Sequence, residues 1–171
     1  MRVFKDLEEL KAAIGEEIGP TEWMTITQQR VNRFAEATGD HQWIHVDRDR
    51  AARSRFGTTI AHGYLTLSLL PVLASQLFVI EHRGAKLNYG VNKVRFPAAL
   101  PVGSRIRATV TIAAVESVDV GRRLTLDYVV AIEGQDKPAM VAQSVVVILD
   151  PEDPDDVAEV ETTTGLHLIQ G

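Results

Sequence analysis

The sequence predicts an α+β fold in which a curled antiparallel sheet wraps around one long apolar central helix. Three observations carry this reading. Residues 63–80 contain no charged side chain, helical patterns precede that run, and from residue 85 onward apolar residues recur at every second position. A helix that is apolar nearly all round has no stable seat on a sheet with one wet face, so the sheet must curl about it.

The elements follow in order. Residues 6–14 place Leu7, Leu10 and Ile14 on one helical stripe, with Asp6 as cap and Gly15 as stop. A second helix is expected over 26–37, because Thr25 and Gln28 have capping-box spacing, Val31, Phe34 and Ala35 share a face, and Gly39 can end it. Residues 41–61 show no clean period apart from a short helical turn after Asp47. The apolar helix then starts near His62. It approaches the length of a membrane span, but Pro71 sits in its middle, Thr66, Ser68, Ser75 and Gln76 punctuate it, and no basic flank orients it, so a buried helix is expected. Leu65, Leu69, Phe78 and Tyr64 are its core candidates.

Strand alternation is clearest in Ile106, Ala108, Val110, Ile112 and in Leu124, Leu126, Tyr128, Val130, Ile132, with a last apolar run over 140–149. Gly121 and the segment 134–138 separate these runs as turns, which gives an antiparallel meander. Such a sheet keeps an open edge, and a homodimer at least is expected to cover it.

Composition fits one domain: 171 residues, 45% hydrophobic and 24% charged. A chain of this length buries roughly 70% of its unfolded surface, so folding requires no disulfide or metal. The absence of cysteine removes thiol nucleophiles and Cys-ligated metals. The formal charge of -5 is concentrated beyond residue 149, where seven acids occur with no Lys or Arg. Residues 1–150 are therefore read as the folded domain and 151–171 as an acidic tail. No concentrated basic face exists for nucleic acid, and the charged N-terminus does not read as a secretion signal, so a cytoplasmic location without membrane insertion is expected.

The densest polar cluster is GDHQWIHVD, residues 39–47, where Asp40 and His45 lie five positions apart between a helix end and a loop. A carboxylate and an imidazole facing one small volume can hold a water and move protons in opposite directions. The competing reading is that Asp40 caps a following turn and His45 is a satisfied, half-buried histidine. At the mouth of the apolar helix stands AHGY, residues 61–64. Its first N–H groups lack internal partners, and Gly63 lets a ligand oxygen approach them as in an oxyanion site. A metal reading pairs His41 and His45 at i, i+4 with His62, but the Gly39 stop argues against a helix through both, and no metal is expected.

The segments FAEATGDHQWIHVDRDRAARSRFGTTIAHG and NYGVNKVRFPAALPVGSRIR resemble the MaoC-like dehydratases, the (R)-specific enoyl-CoA hydratases of hydratase-2 type, over roughly residues 20 to 150. The resemblance implies a hot dog fold and reversible hydration of trans-2-enoyl-CoA to 3-hydroxyacyl-CoA in fatty acyl metabolism. It implies Asp40 and His45 as the acid-base pair and the Gly63 N–H as oxyanion donor. Coenzyme A enters only as part of the substrate, and no other cofactor is required. Where the family has x-N-P and an aliphatic residue between Asp and His, this chain has His41, Gln42, Trp43 and Ile44. Gln42, His62 and Tyr64 are secondary substrate-binding candidates, and among many cations Lys93 and Arg95 are candidates for the CoA phosphates. Two alternatives share these residues: a hot dog acyl-CoA thioesterase, and a non-catalytic acyl-CoA binding protein.

Overall fold

The computed structural model describes residues 1–151, so the tail expected over 151–171 lies outside the described residues apart from Pro151. The chain enters as β1 (Arg2–Phe4) and turns into α1 (Leu7–Ala12), where the Asp6 carboxylate accepts the Glu9 N–H as expected. Leu10 is fully buried, but Ile14 lies beyond the helix and is exposed, because the helix ends before the stripe reaches it. Two short strands follow, β2 (Glu17–Ile18) and β3 (Met24–Thr25). Since β3 takes up Thr25, the next helix starts later than its sequence pattern suggests. In α2 (Gln28–Thr38) it is Thr27 that caps, accepting the Arg30 N–H, and Gly39 ends the helix in the left-handed conformation at φ 76°. The segment that lacked a period contains two short helices, α3 (Trp43–Val46) and α4 (Arg48–Ala52), the second being the turn expected after Asp47.

The apolar run is not one helix. It forms α5 (Gly63–Ser68) and α6 (Leu70–Leu77), with Leu69 between them. Pro71 has no N–H and its ring clashes with the carbonyl four residues back, so the helix breaks there and restarts with proline in a first turn, where no donor is needed. The run also ends early, since residues 78–80 leave the helix as β4 (Phe78–Ile80), which pairs in parallel with β1.

The main sheet is built from β5 (Lys86–Arg95), β6 (Arg105–Val118), β7 (Gly121–Ile132) and β8 (Met140–Leu149). The strands β6, β7 and β8 form the expected antiparallel meander, β5 adds to the far side of β8, and β2 and β3 both pair with β6. Every inward residue expected from the alternation of β6 and β7 is buried, from Ile106 to Ile112 and from Leu124 to Ile132. These side chains meet Leu65, Leu69, Leu70, Leu73 and Leu77 of the helix pair in one core. This is the wrapped α+β arrangement of the hot dog fold. Phe78 is only partly buried against that core and Tyr64 is 69% exposed, which removes Tyr64 from it. Among the described residues no helix is long and apolar enough to cross a membrane.

Candidate active site

The αL turn at Gly39 stops α2 and turns the chain so that the Asp40 side chain stands 54% exposed. One carboxylate oxygen accepts the backbone N–H of Gln42 at 3.4 Å. The Gln42 side chain, a substrate-binding candidate in the sequence, makes no hydrogen bond among the described residues and is exposed. The short α3 then carries His45 inward, where it is 6% exposed. Its Nδ1 lies 2.7 Å from the Ile60 carbonyl oxygen. A carbonyl only accepts, so Nδ1 carries the hydrogen and the neutral ring keeps its lone pair on Nε2. Burial, the largest influence, pushes the His45 pKa below its ordinary 6.5; His62 acts in the same direction, and the Ile60 bond and Asp40 oppose it.

His62 is a correction to the sequence reading. It is 2% exposed and lies behind the pair as a support, too deep to be an open substrate contact. Its ring stacks on His45 with centroids 3.7 Å apart and packs at a tilt against Phe34, while Nε2–H donates to the Asp40 backbone carbonyl at 3.0 Å. Its Nδ1 is buried without a hydrogen-bond partner.

A carboxylate oxygen of Asp40 and a ring nitrogen from each of His45 and His62 lie within 4.8 Å of one another. That spacing suits a water, because two hydrogen bonds of about 2.8 Å meeting at a tetrahedral angle span about 4.6 Å. The three side chains also raise the metal question again, with Asp40 in place of His41. Each ring already donates from one nitrogen to a backbone carbonyl, which fixes its orientation and leaves its other nitrogen as an acceptor.

Gly63 opens α5 next to His62, and its N–H has no acceptor within the helix. A Cβ at this position would stand 2.9 Å from the Phe96 ring, so only glycine lets the ring pack against the helix start. Farther along the helix pair, Leu67, Pro71 and Ala74 face Leu126, Tyr128 and Val146 across an apolar cavity of about 680 Å³. Neither Asp40 nor His45 lines it, but the helix pair that begins at Gly63 forms one wall.

A family model described as a MaoC like domain matches residues 9–133. The chain belongs to the MaoC-like dehydratase family. The 3-hydroxyacyl-thioester dehydratase Z of Mycobacterium tuberculosis is 54% identical over 147 residues, covering 85% of this chain and 97% of that protein. Nodulation protein N of Rhizobium leguminosarum bv. viciae is 40% identical over 151 residues, covering 86% and 94%. Among solved structures, the (R)-hydratase from A. caviae involved in PHA biosynthesis superimposes with a TM-score of 0.65 at 23% identity, over 79% of this chain and 96% of that one, which shows the shared fold.

In this MaoC-like chain the remaining candidates separate by place. Tyr64 points outward beside Gly63, its ring edge-on to Phe96 at 6.2 Å. Lys93 and Arg95 are exposed on β5, where Arg95 donates to the Val94 carbonyl, and among the described residues no hydrogen bond or ion pair joins either to Asp40 or His45. Trp43, where the family has proline, opens α3 and stacks under the Arg50 guanidinium at 4.4 Å. The sequence reading missed Phe34 and Phe96 as the packing partners of His62 and Gly63. It also missed Gln28 and Thr59, both buried behind His45.

Proposed function

We propose that the protein catalyses (R)-specific hydration of trans-2-enoyl-CoA to 3-hydroxyacyl-CoA and the reverse dehydration. The observation that carries this reading is a buried His45 whose Nδ1–H is held by the Ile60 carbonyl, leaving Nε2 as the basic nitrogen, with a ring nitrogen of His45 within 4.8 Å of a carboxylate oxygen of the exposed Asp40, a spacing that one water can bridge. The 54% identical relative, named a 3-hydroxyacyl-thioester dehydratase, supports the same chemistry. Asp40 accepts one hydrogen of the water and orients it. His45 Nε2 accepts the other proton as the oxygen bonds to the β-carbon, and the imidazolium then returns that proton to the α-carbon, so the elements of one water are added and both groups end as they began. The Asp40 charge stabilises the transient imidazolium. Negative charge on the thioester oxygen is met by the Gly63 N–H, and the acyl chain lies in the apolar cavity beside the helix pair. No further cofactor enters this cycle. The edge strand β5 is exposed along nearly all its length and presents Leu87, Tyr89 and Val91, which supports a homodimer closed by a second copy. Chiral analysis of the product from crotonyl-CoA tests the stereochemistry: (R)-3-hydroxybutyryl-CoA is expected, and the (S) product contradicts the reading.

Two outcomes follow from the geometry. Because burial depresses the His45 pKa, the base stays unprotonated as pH falls through 6.5, so kcat/KM holds through that value and declines only below it. A pH profile on crotonyl-CoA measures this, and an acidic limb centred at or above 6.5 counts against His45 as the base. Replacing Gly63 by Ala keeps the N–H but drives a methyl group into Phe96, displacing the ring or the helix start. A misplacement of about 1 Å can cost about 10²-fold in kcat, so a loss of up to that order is expected, and shortening the ring side chain in a Gly63→Ala/Phe96→Ala double variant is expected to restore part of it.

A further inference from the structure

We propose that Gln28 is a positioning residue that aims the His45 imidazole, acting together with Thr59. The inference rests on the hydratase reading of the same site. By sequence Gln28 fits the end of a capping box, but its side chain turns inward and is 9% exposed. Its Nε2 donates to the His45 backbone carbonyl at 2.7 Å and to Asn32 Oδ1 at 2.8 Å, and its Oε1 accepts the hydroxyl hydrogen of Thr59, which is 2% exposed. Both amide hydrogens and the amide oxygen are therefore engaged, and the partners fix which way the amide faces.

These bonds close a ring around His45. The imidazole Nδ1–H reaches the Ile60 carbonyl, Ile60 follows Thr59 in the chain, Thr59 is bonded to Gln28, and Gln28 is bonded to the His45 backbone. The Ile60 N–H also returns to the Ile44 carbonyl at 2.9 Å, and the Val102 N–H holds the Thr59 carbonyl at 2.8 Å. The backbone of His45 and the acceptor of its ring hydrogen are thus tied to one planar amide. That tie fixes the ring torsion, the tautomer and the direction of the Nε2 lone pair. Gln28 is also the first residue of α2, whose other end delivers Asp40, so one rigid helix links the brace to the carboxylate. An apolar side chain in place of either group would leave a buried partner unpaired, so the network holds the local structure and, through it, the aim of the ring.

The test compares Gln28→Leu, Thr59→Val and Thr59→Ser by steady-state kinetics on crotonyl-CoA, corrected for folded fraction, and by nitrogen NMR of the histidine rings. Gln28→Leu and Thr59→Val are expected to lower kcat roughly tenfold or more with KM nearly unchanged, and to turn the His45 signal from the Nδ1–H tautomer into a mixture. Thr59→Ser keeps the hydroxyl and is expected to stay near wild type. In a His45→Gln background Gln28→Leu is expected to cost nothing further. A wild-type kcat and an unchanged tautomer in folded Gln28→Leu and Thr59→Val overturn the proposal. Absence of hydration by the wild type instead removes the hydratase reading, and the tautomer measurement still decides whether Gln28 aims the ring.

Discussion

Asp40→Asn is expected to lower kcat/KM for trans-2-enoyl-CoA by roughly 10²–10⁴-fold, the range by which a positioned proton-transfer group accelerates a reaction. The substitution is nearly isosteric, and the side chain is 54% exposed, so little packing is lost. The contact that organises the site from this residue is its backbone carbonyl, which accepts from His62 whatever the side chain is. The amide can still touch the water, but its NH₂ group presents donors where the carboxylate offers only acceptors, and it removes the negative charge that steadies an imidazolium at His45. Thermal melts within a few degrees of wild type together with a collapse in turnover are the expected pattern. A loss that follows the melting temperature instead assigns Asp40 to the turn.

His45→Gln is expected to reduce kcat by a similar roughly 10²–10⁴-fold and, unlike Asp40→Asn, to cost stability as well. Here the ring is buried, stacked on His62 at 3.7 Å and bonded to Ile60. Glutamine reproduces a donor to the Ile60 carbonyl but has no lone pair basic enough to take a proton from water. It also leaves the face of His62 short of contact, next to a nitrogen that is already unpartnered. Because the two groups act on one water, the double variant Asp40→Asn/His45→Gln is expected to be scarcely worse than the slower single variant. Steady-state rates of the four proteins check this, and multiplicative losses mean that the two side chains do not share a step.

The sheet and the candidate pair Asp40 and His45 are the most legible parts of the sequence, for different reasons. Strands β6 and β7 are long, and each second residue faces the core, so Ile106 through Ile132 carried a signal strong enough to read without neighbours. Strands β2 and β3 have two residues each and exist only because β6 offers them an edge, which no local pattern records. The helix break at Leu69 follows from Pro71, a signal that the unbroken apolarity of the run masks. Asp40 and His45 were found from residue type, spacing and family resemblance. Their supports are hidden, since a buried Gln28 looks like a surface helix start until tertiary contacts turn it inward, and the packing of the substrate-binding candidate His62 against Phe34 depends on a contact that no local pattern records.

The most direct test of the central claim follows loss of the enone absorbance of crotonyl-CoA and of a longer trans-2-enoyl-CoA while free thiol is measured in parallel. Hydration at the Asp40 and His45 site is expected to remove the absorbance without releasing thiol. Thiol release at the rate of absorbance loss, or saturable binding of both substrates with no turnover, contradicts it.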